Sequence, residues 1–175
     1  EGAQVPSARI KTLDKVTFLY GYVVASIKLP KTADGLWPAF WMMGNDITEL
    51  GWPNCGEIDV LEMGHADGIK AGTQDRYLNG ACHWGVPGHQ FLANNVTYGY
   101  PVQDGEFHTY TCIWDEEYIR MYIDLEIRPD AAPYFEMKVE DFGDAEFRKE
   151  NFLLFNLAVG GNFPAIWDAS QVTAL

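Results

Sequence analysis

Three acidic residues interrupt an otherwise apolar segment that begins at Gly56 and ends at Met63. Glu57 and Asp59 are two positions apart, so in a strand their side chains point to the same face. Glu62 is five positions from Glu57, and a regular strand would turn it to the opposite face, where we expect the core. Because an unpaired carboxylate is costly to bury, we predict a β-bulge between Asp59 and Glu62 that returns all three acids to one face.

Two glutamates on one strand face are suited to hydrolysis of a glycosidic bond. With Val60 or Leu61 bulged, the Cα atoms of Glu57 and Glu62 are roughly 13 Å apart. Their side chains can lean together toward the ~5–5.5 Å separation of a retaining pair. One must be ionised to attack the anomeric carbon, and the other must be protonated to release the leaving sugar. Asp59 lies between them and can separate their pKa values. The alternative is a strand whose solvent-exposed face is acidic by chance.

The rest of the chain predicts a protein built from strands. Apolar and aromatic runs alternate with Gly- and Pro-containing turns, and no long helical periodicity is present. The most helical stretch, residues 140–150, is short and acidic, and we interpret it as a turn or a single helical turn on a connection. Many strands without helices predict an all-β sandwich or barrel in a single domain. Seven strands are predicted, at residues 16–29, 36–43, 57–63, 77–84, 108–114, 118–124 and 152–159.

Composition limits the partners that the protein can bind. The chain has 12 Lys and Arg against 25 Asp and Glu, a formal net charge of −13. This charge disfavours nucleic acid, anionic membranes and strongly sulfated polymers, so we expect a neutral partner. No apolar run is long enough to cross a membrane. The 6 Trp, 9 Tyr and 10 Phe residues fit either a large β core or a cleft in which rings pack on sugars.

Several segments resemble glycoside hydrolase family 16, and they follow the family's order along nearly the whole chain. The Glu-x-Asp-x-x-Glu spacing resembles its laminarinase branch. The resemblance implies a jelly-roll β-sandwich of two antiparallel sheets with a concave substrate cleft, and it implies Glu57 as nucleophile, Asp59 as assisting acid and Glu62 as general acid/base. The similar segments are Leu36-Trp37-Pro38-Ala39-Phe40-Trp41-Met42-Met43-Gly44, Gly51-Trp52-Pro53-Asn54-Cys55-Gly56-Glu57-Ile58-Asp59, and residues 7–12, 80–84, 107–110 and 156–162.

The implied activity is retaining endo-hydrolysis of β-1,3-glucan of the laminarin type, or of mixed β-1,3-1,4-glucan, by double displacement. A non-catalytic β-glucan-binding module on the same fold is the alternative. An enzyme for sulfated galactans would need Arg or Lys in the cleft, and residues 36–63 contain none. The loops at residues 73–76 and 87–95 are expected to set the linkage preference, which the sequence leaves open.

Five further side chains are predicted to bind substrate. Trp37 and Trp41 share a strand face, and the resemblance implies that they stack on glucose rings; core packing is the alternative, most of all for Trp41. Trp52 could close the cleft near the scissile bond. His83 could hydrogen-bond a sugar hydroxyl or Asp59. Asn156 interrupts an apolar strand and needs a partner, either a sugar hydroxyl or a backbone group.

The same resemblance has departures and consequences outside the site. Residues 21–26 lack the charges usual in the family, and we expect the chain to lack terminal strands and to be a monomer when complete. No catalytic cofactor or metal is expected, and ligands for the family's structural calcium ion cannot be identified. Cys55, Cys82 and Cys112 are either buried and unpaired or include one bridged pair. We expect a secreted, periplasmic or cell-surface protein.

Overall fold

The fold consists of strands in two antiparallel sheets. The computed structural model describes residues 7–85, 88–142 and 145–173. None of the helices in these residues is long and apolar enough to cross a membrane. The strands are β1 (Ala8–Lys11), β2 (Thr17–Phe18), β3 (Gly21–Lys28), β4 (Leu36–Gly44), β5 (Glu57–Met63), β6 (Tyr77–Trp84), β7 (Gln90–Thr97), β8 (Phe107–Trp114), β9 (Tyr118–Ile123), β10 (Phe135–Lys138) and β11 (Asn151–Val159).

The larger sheet, which we call the cleft sheet, has the strand order β1-β11-β4-β5-β6-β7, with β2 also paired to β11. The smaller sheet has the order β10-β9-β8-β3. Helices are short: α1 (Ile47–Leu50) and α2 (Ala66–Ala71) connect cleft-sheet strands, and single 3₁₀ turns occupy Val139–Asp141 and Ala169–Gln171. The predicted all-β sandwich of two antiparallel sheets is confirmed.

The core lies between the two sheets. On β8, Tyr110, Cys112 and Trp114 alternate along one face, and all three are buried. They pack against inward-facing residues of the cleft sheet such as Phe40 and Ile58 in one apolar cluster. Because the inner face of the cleft sheet is used for this core, its outer face is left for polar chemistry.

The three cysteines are buried and unpaired. Two of them, Cys82 on β6 and Cys112 on β8, belong to the apolar core between the sheets. Of the two alternatives that the sequence leaves open, the structure therefore has the unpaired one, and these residues act as small core side chains.

The strand predictions are correct for most of the chain and wrong in four places. Residues 16–29 form two strands, β2 and β3, because Tyr20 adopts a positive φ of 62° between them. Residues 90–95 were predicted as loop but belong to β7, while residues 86 and 87 lie outside the described residues. Strands β1 and β10 were not predicted. The count of seven strands is therefore wrong, since the described residues contain eleven.

Candidate active site

Glu57, Asp59 and Glu62 lie on the outer face of β5 because this strand contains a β-bulge. On the β4 side, two consecutive residues pair with Leu61 and Asp59, so Val60 between them has no partner of its own. The β5–β6 register shifts at the same place, between Asp59 and Glu62. The bulge predicted from the sequence is confirmed, with Val60 as the extra residue.

The bulge is held in place from the core side. The Tyr134 hydroxyl donates a hydrogen bond to the Val60 carbonyl, and both residues are buried. Gly80 lies opposite the bulge on β6, and a Cβ there would meet Tyr134 and Met121 atoms at 2.9 Å. The absence of a side chain at Gly80 therefore lets Tyr134 reach the carbonyl that the bulge removes from the strand ladder.

Replacing Tyr134 by phenylalanine is expected to destabilise the fold by about 1–3 kcal/mol, because a buried carbonyl loses its donor. We also expect kcat to fall severalfold, since the bulge determines where Glu62 points. Urea unfolding and initial rates on soluble β-glucan test this. The matched control is Tyr110→Phe, because the buried Tyr110 hydroxyl has no hydrogen-bond partner. Equal destabilisation of the two variants would contradict the supporting role of Tyr134.

Glu62 is buried at 8% exposure and is oriented by two donors. Its Oε1 accepts a hydrogen bond from the Trp37 indole N–H at 2.9 Å, and its Oε2 accepts one from the Asn79 amide at 2.7 Å. Burial raises the pKa of Glu62, while Trp37, Asn79 and the nearby His83 act in the opposite direction. The net direction is upward, so Glu62 keeps a proton to higher pH than an exposed glutamate.

Asp59 is only 4% exposed and lies between Glu57 and His83. Its Oδ2 is 3.3 Å from the His83 Nε2, and its carboxyl group forms a hydrogen bond with Glu57. Burial raises the pKa of Asp59 well above its ordinary value, the charge of Glu62 adds to this effect, and the hydrogen bond with Glu57 acts in the opposite direction. Asp59 and Glu57 are therefore a hydrogen-bonded pair of carboxyl groups in which ionisation of each is disfavoured.

Glu57 is half-buried at the end of β5 nearest Trp52. Burial and the charge of Asp59 raise the pKa of Glu57 to about 9, while His83 and a hydrogen bond from Trp52 lower it. Two adjacent carboxyl groups that both resist ionisation share one proton across a neutral pH range. The pair can therefore hold one carboxylate and one protonated carboxyl group side by side, joined by their hydrogen bond.

Three of the residues that were predicted to bind substrate, Trp37, Trp41 and Asn156, line the cleft and are connected by hydrogen bonds. Trp37 is half-buried and lines the cleft, which has a volume of about 340 Å³. Trp41 is buried and packs with Phe152 and Leu154, and its indole N–H donates to the Asn156 amide oxygen at 2.8 Å. The Asn156 amide N–H donates to the Trp37 carbonyl at 3.1 Å. Asn156 therefore finds protein partners and orients the tryptophans from the cleft wall.

Four residues beside the site were not assigned from the sequence. Ser7, just before β1, and Arg9, within β1, line the cleft. His89 lies with its Nε2 3.0 Å from the His83 Nδ1, and Phe91 stacks on the His83 ring. Alternation along residues 90–97 would have placed Phe91 on the outer face, but that segment was interpreted as a loop.

A cation site is a second reading of these acids. Among the described residues, Glu57, Asp59 and His83 each offer a ligand atom, and these atoms lie within 4.8 Å of one another. This set includes an imidazole and does not fit calcium, which takes six to eight oxygen ligands. The calcium ion implied by the resemblance is therefore not placed here.

Known proteins are similar to this chain in sequence and in fold. Glucan endo-1,3-beta-glucosidase A1 of Niallia circulans is 33% identical over 166 residues, which cover 92% of this chain and 23% of that protein. A beta-1,3-glucan-binding protein of Penaeus monodon is 30% identical, covering 90% of this chain and 47% of that protein. A mixed linkage glucan GH16 structure from Bacteroides ovatus, in complex with a G4G4G3G product, has a TM-score of 0.86 at 39% identity, covering 95% of this chain and 67% of that chain.

The chain thus spans less than a quarter of the Niallia protein and about half of the Penaeus protein. The family model described as "Glycosyl hydrolases family 16" matches residues 3–138, which is most of the chain and includes the three carboxylates. The chain belongs to glycosyl hydrolases family 16.

Proposed function

We propose that this chain is the catalytic domain of a retaining endo-β-glucanase that cleaves β-1,3-glucan or mixed β-1,3-1,4-glucan. The observation that carries the proposal is the bulge in β5, which brings Glu57, Asp59 and Glu62 to one wall of an open cleft. A strand that exposed acids by chance would not need a bulge, two N–H donors on Glu62, or a buried Asp59 between two glutamates.

In the proposed mechanism, ionised Glu57 attacks the anomeric carbon while Glu62 gives its proton to the departing glycosidic oxygen. The Glu57–carbon bond forms as the bond to the leaving sugar breaks. Glu62, now a carboxylate, then takes a proton from water, whose oxygen attacks the same carbon and releases Glu57. Asp59 keeps its proton and donates a hydrogen bond to Glu57, so it orients the nucleophile without taking up charge.

The resemblance supplies the assignment of the two glutamates, and the contacts support it. The Trp37 and Asn79 donors stabilise the carboxylate that Glu62 becomes after proton transfer. Its upward pKa shift keeps the proton in place before the reaction. These two features are what a group that alternates between acid and base requires.

We propose retention of the anomeric configuration as the measurable consequence. Proton NMR of a fresh hydrolysate of laminarin or barley glucan should show the β-anomer first, with the α-anomer appearing only by mutarotation. The reason is that two displacements at one carbon restore its configuration. Initial release of the α-anomer would contradict the double displacement.

Both β-1,3 and mixed linkages remain within the proposal. The Niallia relative is named as acting on 1,3-linkages, whereas two Bacteroides ovatus structures at 39% and 38% identity belong to a mixed linkage glucan GH16 and an endo-glucanase. Chromatography of the oligosaccharides released from laminarin and from barley glucan separates the two specificities.

We also propose that catalysis needs no cofactor, because Glu57 and Glu62 supply both the nucleophile and the proton. Activity should be unchanged after dialysis against EDTA, measured by release of reducing ends. The proposal would be contradicted if EDTA lowered kcat, added Ca²⁺ restored it, and thermal unfolding were unchanged throughout.

A non-catalytic β-glucan-binding module is the alternative, and the Penaeus relative carries such a name. It predicts glucan binding without release of reducing ends.

A neutral glucan outside the cell suits the net charge of −13, and we propose a secreted, periplasmic or cell-surface location and a monomeric state. Fractionation of the host and light scattering test these two points.

A further inference from the structure

A group of aromatic side chains lies beside Glu57, next to the residues that line the cleft. Trp52 lies with its ring centroid 4.6 Å from that of His89, and His89 lies 5.9 Å from Phe91. His83 contacts all three, at centroid distances of 5.2 Å to His89, 5.8 Å to Phe91 and 6.2 Å to Trp52. We call these four side chains the aromatic cluster.

The cluster is held on the outer face of the cleft sheet by strand pairing. Glu57 pairs with His83 across β5 and β6, and His83 pairs with Phe91 across β6 and β7. Directly paired residues of antiparallel strands point to the same face. Since neighbouring strands are about 4.8 Å apart, the Phe91 Cα lies about 10 Å from that of Glu57, which is within one to two sugar units.

Two of these rings belong to large apolar side chains that are nevertheless exposed to solvent. Phe91 is 62% exposed and Trp52 is 47% exposed. A contiguous exposed apolar patch next to a cleft is typical of a binding surface. The neighbouring row of the sheet places the small residues Ala81 and Ala93 opposite Asp59, so the space beside the Phe91 ring is open above the sheet.

We propose that Phe91, His89 and Trp52 form a glucosyl-binding subsite of the same cleft, on the opposite side of the carboxylates from Trp37. The ring faces would pack against the apolar C–H face of a neutral β-linked glucose unit, and a neutral ligand suits the strongly negative chain. This inference rests on the proposed function, because the glucan that occupies the subsite is the substrate chain that passes the carboxylates.

His89 has a specific part in this subsite. Its Nε2 is hydrogen-bonded to the His83 Nδ1 at 3.0 Å, and the other nitrogen of His83 faces Asp59. This bond fixes the His89 ring beside Trp52, so that it completes the surface between Trp52 and Phe91. The subsite is therefore connected to the catalytic acids through His83.

The test measures binding separately from hydrolysis. Laminarihexaose and a mixed-linkage hexasaccharide are titrated calorimetrically into Glu57→Gln protein, with and without Phe91→Ala. We expect the Phe91→Ala substitution to weaken binding of the hexasaccharide that the wild type cleaves by about tenfold. In the active protein, Phe91→Ala should increase the minimum length of glucan chain that is cleaved. Phe91→Tyr should retain affinity, because it keeps the ring.

Phe107→Ala is the matched control, since Phe107 is 68% exposed on the other sheet. It should leave affinity and product lengths unchanged. Unchanged affinity and product pattern in Phe91→Ala, with normal hydrolysis by the wild type, would overturn the subsite and leave the proposed function standing. Absence of hydrolysis by the wild type, with weaker hexasaccharide binding by Phe91→Ala, would overturn the activity and leave the subsite standing.

Discussion

Replacing Glu57 or Glu62 by glutamine is expected to lower kcat on β-glucan by about 10²–10⁴-fold or more, with little change in oligosaccharide affinity. Glutamine cannot attack the anomeric carbon at position 57, and it cannot release a proton at position 62. Both substitutions keep the size of the side chain. At position 62 the amide oxygen still accepts the hydrogen bond from Trp37, and the Asn79 amide must turn its oxygen toward the new NH₂ group to keep the second contact.

Alanine variants with sodium azide then distinguish the two roles. In Glu57→Ala, azide replaces the missing nucleophile, attacks from the face opposite the leaving group and gives an α-glycosyl azide. In Glu62→Ala, with an activated aryl leaving group, azide intercepts the glycosyl-enzyme and gives a β-glycosyl azide. Product stereochemistry by NMR reads the assignment directly, because each stereochemistry requires a different number of displacements.

The control for both glutamates is Glu136→Gln, which removes a carboxylate from β10 in the other sheet, where it pairs with Arg120. Its kcat should equal that of the wild type. Full activity in either Glu57→Gln or Glu62→Gln would refute the catalytic assignment. Exchanged azide stereochemistry would reverse the two roles while leaving the retaining mechanism intact.

The bulge in β5 was predictable because strand side chains alternate between two faces and a charged group is costly to bury, which leaves few possible arrangements of this strand. Glu57 and Glu62 at a spacing of five require either a charge in the core or one extra residue, and the second is far less costly. The structure adds the cause that the sequence could not supply. The Val60 carbonyl that the bulge releases is bound by Tyr134, 74 positions away in the chain.

The errors in the strand predictions have a different physical origin. Strand β7 carries Asn94 and Asn95, which are typical of turns, and most of its residues are exposed because it is the edge strand of the cleft sheet. Strand β10 has only four residues and depends on pairing with β9. Local patterns cannot identify strands that pairing with a distant segment stabilises.

Long-range contacts also decided the roles of the binding residues. Asn156 was predicted to bind either a sugar hydroxyl or a backbone group, and its amide binds the Trp37 carbonyl and the Trp41 indole, 119 and 115 positions away. The link from Asp59 through His83 to His89 depends equally on strand pairing. Residue types in the site could therefore be predicted, whereas hydrogen-bond partners could not.

Trp37→Ala is expected to lower kcat/KM by about 10²-fold, because one substitution removes two interactions. Phe163 stacks on Trp37 at 5.0 Å and 12°, while Trp37 lines the cleft and its indole N–H is bonded to Glu62. A hydrogen bond to a charged group contributes about 1.5–3 kcal/mol, and loss of an aromatic contact to a sugar adds to this. Initial rates over a substrate series give the value.

Trp37→Phe separates the two contributions, since it keeps a ring and removes only the N–H donor. The hydrogen bond from Trp37 lowers the pKa of Glu62, so its removal raises that pKa. Glu62 acts as an acid only while protonated, and activity is lost as pH rises through its pKa. The alkaline limb of the kcat profile should therefore move to higher pH in Trp37→Phe, while kcat/KM near neutral pH falls less than in Trp37→Ala.

Trp41→Phe is the matched control for this pH effect. The Trp41 indole N–H donates to Asn156 and not to Glu62, so its removal should leave the alkaline limb where it is in the wild type. If the limb moves equally in both variants, the shift reports a general loss of order in the cleft wall. If the limb moves in neither variant, the group that loses its proton at high pH is not Glu62. The general acid must then be sought at Glu57 or Asp59, because the Trp37 indole N–H donates to Glu62 and not to these two residues.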